Sequence, residues 1–225
     1  MKDRKSLGRF AAATAAAAFL ALLWAADSQA GIFRDVLAKV GLAKQEPAPN
    51  ATVGAHTLPF KGYACCNLHY EKDWINDGNY AELPMIPAGT PIEVLSYGRH
   101  RAFVKIDGKP MRLGHDYGRD QESLENWVAK IVVDQDPRAR IDAYPPSVRE
   151  AIRQGKVALG MTREQAIVAV GYPLTSENAS LDAASWRIWR STHGEYDLNF
   201  KSDGRLESVS GEQEVTSLVL YRPAK

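Results

Sequence analysis

"VALGMTREQAIVAVGYP", Val157 to Pro173, starts a helix and stops it within seventeen residues. Thr162 suits the N-cap, because its hydroxyl accepts an orphan N–H of the first turn. Gln165, three residues on, reaches back to the N–H of the cap, the reciprocal pattern of a capping box. Ala166, Ile167 and Val170 follow at i, i+1 and i+4 and predict one apolar stripe. Gly171 offers the left-handed position that ends helices, and Pro173 cannot continue one. The stretch has no phosphate-cradling glycine run and no nucleophile. It reads as packing punctuation.

Downstream, Trp186 and Ile188 share one strand face, and Tyr196, Leu198 and Phe200 alternate with Asp197 and Asn199. Ser202-Asp203-Gly204 turns the chain into Leu206 and Val209. Upstream, Ser147 and Glu150 stand at capping-box spacing after Pro145-Pro146, and the helix carrying Ala151 and Ile152 ends at Gly155. Two helices followed by a three-stranded antiparallel meander predict an α+β two-layer sandwich over residues 147–211. Its outward face carries Arg187, Trp189, Asp197 and Asn199, the composition of a partner-contact hot spot. The alternative is that Trp189 lies under the preceding domain or under the terminal "TSLVLYRP", read here as a strand or tail over 212–225.

Residues 58–133 have a different grammar. Tyr63, Leu68 and Tyr70 precede a polar loop holding Trp74, and "LPMIPAGTPIEVL" feeds a short Ile92–Leu95 strand. "AFVKIDGKPMRL" places two short strands around Asp107-Gly108, the strongest short hairpin signal. Short strands and tight turns predict a small SH3-like β-barrel. Leu124, Trp127, Val128, Ile131 and Val132 then form an amphipathic helix with Ser123 as its N-cap. "DQDPRARIDAYPP", 134–146, is polar, proline-rich and without periodicity, and reads as a linker.

At the other end, Lys2, Arg4, Lys5 and Arg9 precede an apolar run from Phe10 to Ala26, and Ser28-Gln29-Ala30 offers a small-residue cleavage site. Residues 1–30 therefore read as a secretory signal peptide. The alternative is an uncleaved membrane anchor. No lipobox cysteine follows, so no N-terminal lipid is expected. The whole chain carries 28 basic and 27 acidic residues. Removing the leader leaves 24 against 25, a balance that argues against nucleic acid as a partner. In the 31–57 stretch, Ile32, Phe33, Val36, Leu37 and Val40 recur at helical spacing before the linker "KQEPAPNATVGA". That amphipathic piece reads as packing on the domain behind it, or as a weak membrane-surface contact.

The one provocative cluster is "ACCNLHYEKDW", with Cys65, Cys66 and His69 close together and Glu71 and Asp73 behind. A single cluster lacks the separated ligand pairs of structural zinc, and Cys-x-x-Cys-His haem spacing is absent. Adjacent cysteines on an extended segment point to opposite faces, which predicts one buried and one partly exposed thiol. In an exported protein a vicinal or intermolecular disulfide is the alternative, with Cys65 and Cys66 as redox thiols. His56, His100, His115 and His193 are isolated. Arg99-His100-Arg101 is a small basic knot in a loop. The sequence points to no catalytic residues, no metal and no cofactor.

Residues 147 to 211 resemble the SmpA/OmlA family, the BamE-like small envelope proteins. The resemblance rests on Gly155-Lys156, Gly160-Met161-Thr162-Arg163, Gly171-Tyr172-Pro173, the Trp186 strand and "DLNFKSDGRLESV". It implies a non-enzymatic periplasmic or envelope-associated protein that binds envelope or outer-membrane proteins, in outer-membrane assembly or envelope integrity. A peptidoglycan-binding module, an inhibitor of an envelope enzyme and a thiol enzyme built on Cys65 or Cys66 are the alternatives.

Overall fold

Strand formers and tight turns alternate from Phe60 to Gly114. The chain there forms β1 (Phe60–Ala64), β2 (Leu68–His69), β3 (Trp74–Asn76), β4 (Met85–Ile86), β5 (Pro91–Tyr97), β6 (Arg101–Ile106) and β7 (Lys109–Gly114). The computed structural model describes residues 56–223. The expected signal peptide at 1–30, and all but the last two residues of the 31–57 stretch, lie outside the described residues. Asp107 and Gly108 take φ of 49° and 76°, the backbone of a two-residue hairpin turn, and set β6 against β7 from Ile106↔Lys109 to Arg101↔Gly114. Alternation along β6 then buries Ala102, Val104 and Ile106 and exposes Arg101, Phe103 and Lys105.

Ser123 caps α1 (Leu124–Ile131) by accepting the N–H of Asn126, and Leu124, Trp127, Val128 and Ile131 are buried. The helix stops before Val132, because Val132 and Val133 form β8 and pair with Ala64 and Tyr63 of β1. The six-stranded curled sheet runs β3-β7-β6-β5-β1-β8, with β3 parallel to β7 and its other pairings antiparallel. Trp74 thus opens a strand rather than sitting in a polar loop: its ring lies flat on Gly114, where a Cβ would collide with it.

The 134–146 stretch is not bare linker. It contains α2 (Arg138–Asp142), which starts directly after Pro137. Next come α3 (Pro146–Arg153), α4 (Arg163–Val170), β9 (Ser185–Ser191), β10 (Gly194–Phe200), β11 (Leu206–Gly211) and α5 (Gln213–Val219). The second sheet is antiparallel in the order β11-β10-β9. The architecture is mixed α+β, with a curled sheet, a smaller sheet and five helices among the described residues.

Three local expectations change. The Ser147–Glu150 capping box does not form, because the helix starts at Pro146 and leaves Ser147 inside the first turn. Glu150 instead binds Arg153 and then Gln154, which hold its carboxyl down at about 2. The terminal strand or tail is helix α5: Val215 and Val219, one turn apart, are both buried in the second core. The Thr162 capping box is present, but α4 has more than one buried face, since Ala166, Val168, Ala169 and Val170 are all buried. The reason is its position. Ile167 packs against both hydrophobic cores, one built from residues 64–132 and the other from 148–219.

Two asparagines join these cores. Asn67, 1% exposed, donates to the carbonyls of Ile152 (2.7 Å) and Ala169 (2.9 Å) and accepts the N–H of Ala88 (3.1 Å). Asn79 donates to Val170 O (2.9 Å) and Asn67 O (3.1 Å) and accepts the N–H of His69. Gly171 is dictated twice over. Its φ is 87°, and a Cβ there would run into the Asn79 amide.

Candidate functional site

The outer face of the three-stranded sheet is set by alternation. Trp186, Ile188, Tyr196, Leu198 and Phe200 are buried beneath it, which leaves Ser185, Arg187, Trp189, Glu195, Asp197 and Asn199 on the other side. Register pairs Trp189 with Glu195, Arg187 with Asp197, and Ser185 with Asn199. Arg187 Nε lies 3.2 Å from Asp197 Oδ1 and Nη1 lies 3.5 Å from Glu195, and Asp197 first, then Glu195, hold the guanidinium charged. Asn199 accepts from Ser185 and donates to Ser210 (2.9 Å) and Ser208 (3.3 Å), a polar ladder across the three strands.

The turn after α4 folds back over this face. Asn178 brackets Arg187, accepting its N–H at 2.8 Å and donating to its carbonyl at 2.9 Å. Half-buried Trp189 donates its indole N–H to Glu177 at 2.8 Å. Glu177, Asn178, Ser185, Arg187 and Asp197 line an open groove of about 590 Å³. The four residues singled out in the sequence therefore share one face, and the structure adds Glu177, Asn178, Ser185 and Glu195 to them. The helices' side of the sheet is apolar, with Trp186 1% exposed and tilted against Phe200 at 4.6 Å.

A second constellation escaped the sequence entirely. His115 Nδ1 lies 2.9 Å from Asp77 Oδ2, with both side chains nearly inaccessible. The contact is close but not a straight hydrogen bond, because the ring N–H points off the oxygen. Nε2 faces the carbonyl of Glu122 at 2.9 Å, and the ring stacks on Trp127 at 5.2 Å. Asp77 also accepts the N–H groups of Asp116, Tyr117 and Gly118. An Asp–His pair suggests acid–base chemistry, yet both ring nitrogens face protein oxygens within 2.9 Å and the adjoining space is about 10 Å³, room for no more than one water. The pair clamps the 115–118 loop to β3.

The cysteine segment is bent, not extended, and this overturns the expectation of opposite-facing thiols. Cys65 and Cys66 are bonded to each other, 7% and 0% exposed. Neither sulfur is partly exposed, because the backbone on either side is pinned: Cys65 N–H donates to Ile131 O and Asn67 N–H to Val168 O. His69 is 3% exposed, its Nδ1 has no hydrogen-bond partner among the described residues, and burial pushes its pKa below the usual imidazole value despite an opposing contribution from Asn79. Asp73 binds Arg112 bidentately at 2.8 Å and is held below the usual carboxylate range by it. Among the described residues no three His, Cys, Asp or Glu side chains converge as metal ligands. Arg101 of the basic knot stacks on Trp74 at 4.7 Å, with Arg112 at 4.9 Å.

No protein-family profile, curated protein or solved structure matches the chain. Among the described residues no helix is long and apolar enough to cross a membrane.

Proposed function

We propose that this is a non-enzymatic, exported cell-envelope protein that binds other proteins through the outer face of the β9–β11 sheet. On this reading the curled sheet is an SH3-like barrel in a supporting role, and α3, α4 and the smaller sheet form a BamE-like unit. What carries the reading is Trp189. It is a half-buried indole anchored to Glu177, beside an arginine bracketed by Asp197 and Glu195, and both Glu177 and that arginine line the polar groove. Rigid tryptophan and arginine side chains dominate interface hot spots, because they offer large contact area already held in place.

Site-specific photo-crosslinking in the native envelope tests it. A photoreactive residue at position 187 should give a discrete adduct that Trp189→Ala weakens, while the same residue at Lys201, in the opposite-end turn, should give none. Trp189→Ala should cost about 2 kcal/mol of stability, for one exposed hydrogen bond and the half-buried indole surface. Trp186→Ala should cost roughly 3–5 kcal/mol and unfold this half. Equal adducts at positions 187 and 201, or equal destabilisation by the two tryptophan variants, would sink the reading.

A further inference from the structure

A second cleft, of about 460 Å³, lies where the two cores meet, and none of its lining residues belongs to the contact face above. Pro146, Arg149, Glu150 and Arg153 line it from one face of α3, and Arg138, Ile141 and Asp142 from one face of α2. Its floor is apolar: Met85, Pro87, Ala88 and Ile152, with Asn67 between them. The volume is that of a small-molecule site, and clefts between packed halves are where such sites occur.

The rim charges define what would fit. Arg138 is committed to Asp136, and Arg153 to Glu150. That leaves Arg149, which donates to the Asp142 backbone carbonyl at 2.8 Å and has no carboxylate partner among the described residues. It also leaves the Asp142 carboxylate, which has no cationic partner within ion-pair distance among the described residues, while Arg138 beside it is committed to Asp136. The cleft thus presents one guanidinium and one carboxylate, neighbours through the chain yet not paired to each other, beside an apolar floor. A pure anion would meet Asp142, and a pure cation would meet Arg149. A zwitterion satisfies both.

We propose that this cleft binds an apolar α-amino acid, its carboxylate on Arg149, its ammonium on Asp142 and its side chain on the Met85–Ala88 and Ile152 floor. A planar guanidinium pairs well with a carboxylate, and an ammonium is a compact partner for Asp142.

The probes are L-phenylalanine, 3-phenylpropanoate, which lacks the ammonium, and 2-phenylethylamine, which lacks the carboxylate. Titration of the whole protein by calorimetry, with amide shifts read at Ala88, Ile141 and Ile152, should show saturable binding of L-phenylalanine. Each truncated probe should bind roughly ten- to a hundred-fold more weakly, the loss of one charged hydrogen-bonding group. Arg149→Gln should weaken L-phenylalanine and 3-phenylpropanoate together and leave 2-phenylethylamine unchanged. Asp142→Asn should do the reverse. That crossed pattern cannot come from a variant that merely folds poorly, and the three probes on the unaltered protein stand even if one variant melts early. Equal affinity for all three probes, no saturation up to about 10 mM, weaker than a ~1 mM site allows, or shifts confined to residues outside the cleft would overturn the proposal.

Discussion

Asn67→Ala should be among the most damaging single changes in the chain, and burial is the reason. Asn67 is 1% exposed, and its side chain makes three hydrogen bonds to backbone groups of Ile152, Ala169 and Ala88. Truncation strands those groups, and each buried orphan costs about 1–3 kcal/mol, so the loss is about 3–9 kcal/mol. The lower end applies if water from the adjoining cleft reaches Ala88 and Ile152. Set against a typical stability of about 5–15 kcal/mol, this is a large fraction. Asn178 supplies a matched control, because its side chain also makes three bonds to backbone, at Leu174 and twice at Arg187, but near solvent. There water replaces the lost partner and Asn178→Ala should cost about 1 kcal/mol. Urea unfolding with unchanged m-values measures both. If the two variants shift the midpoint equally, burial does not set the cost and the reasoning fails.

Gly171→Ala combines a φ of 87° with a collision against Asn79, so it should cost more than the roughly 1–2 kcal/mol of left-handed strain alone, and the double variant with Asn79→Ala should cost less than the sum of the two single changes. His69 is buried with its pKa lowered, so the unfolded chain takes up its proton first, and stability falls as pH drops below 6.5 towards the lowered folded value. His69→Gln should flatten that part of the acid slope between pH 7.5 and 5 in urea titrations, and an unchanged slope would rule His69 out as its source.

Much of the fold is legible because the deciding interactions are short-range. Asp107-Gly108, the Thr162–Gln165 box and the Tyr196–Phe200 alternation each act within a few residues. The four outward residues of the second sheet follow from period two alone. What escaped the sequence is long-range. Asp77 meets His115 across 38 positions and Asn67 meets Ile152 across 85, and neither pair has a spacing that marks it. The terminal helix escaped for another reason: Thr216, Val219 and Tyr221 favour strand, yet burial of Val215 and Val219 on one face decides for helix. Likewise, the single stripe read from Ala166, Ile167 and Val170 falls short, because a helix wedged between two cores buries more than one side.

The wedge bears on how the molecule comes apart. Between the 56–133 and 147–223 segments run five hydrogen bonds: Asn67 to Ile152 and Ala169, the Asn67 N–H to Val168, Asn79 to Val170, and the Glu82 N–H to the Arg190 carbonyl. At about 1 kcal/mol net each they amount to about 5 kcal/mol before any apolar area is counted. Lys130 adds its ammonium over the Tyr172 ring at 5.2 Å. Such a link rivals the whole stability of a small domain, so neither half has a route to open first. These bonds are also directional, and a shift of α4 along the first core would break several at once, whereas a purely apolar seam of similar size would tolerate sliding. Unfolding should therefore be a single transition. Far-ultraviolet circular dichroism, which follows both sheets, and the native amide NMR signals of Val104 in the first core and Leu198 in the second should be lost at the same urea midpoint. Two separated midpoints would mean that the asparagine bridge does not couple the cores.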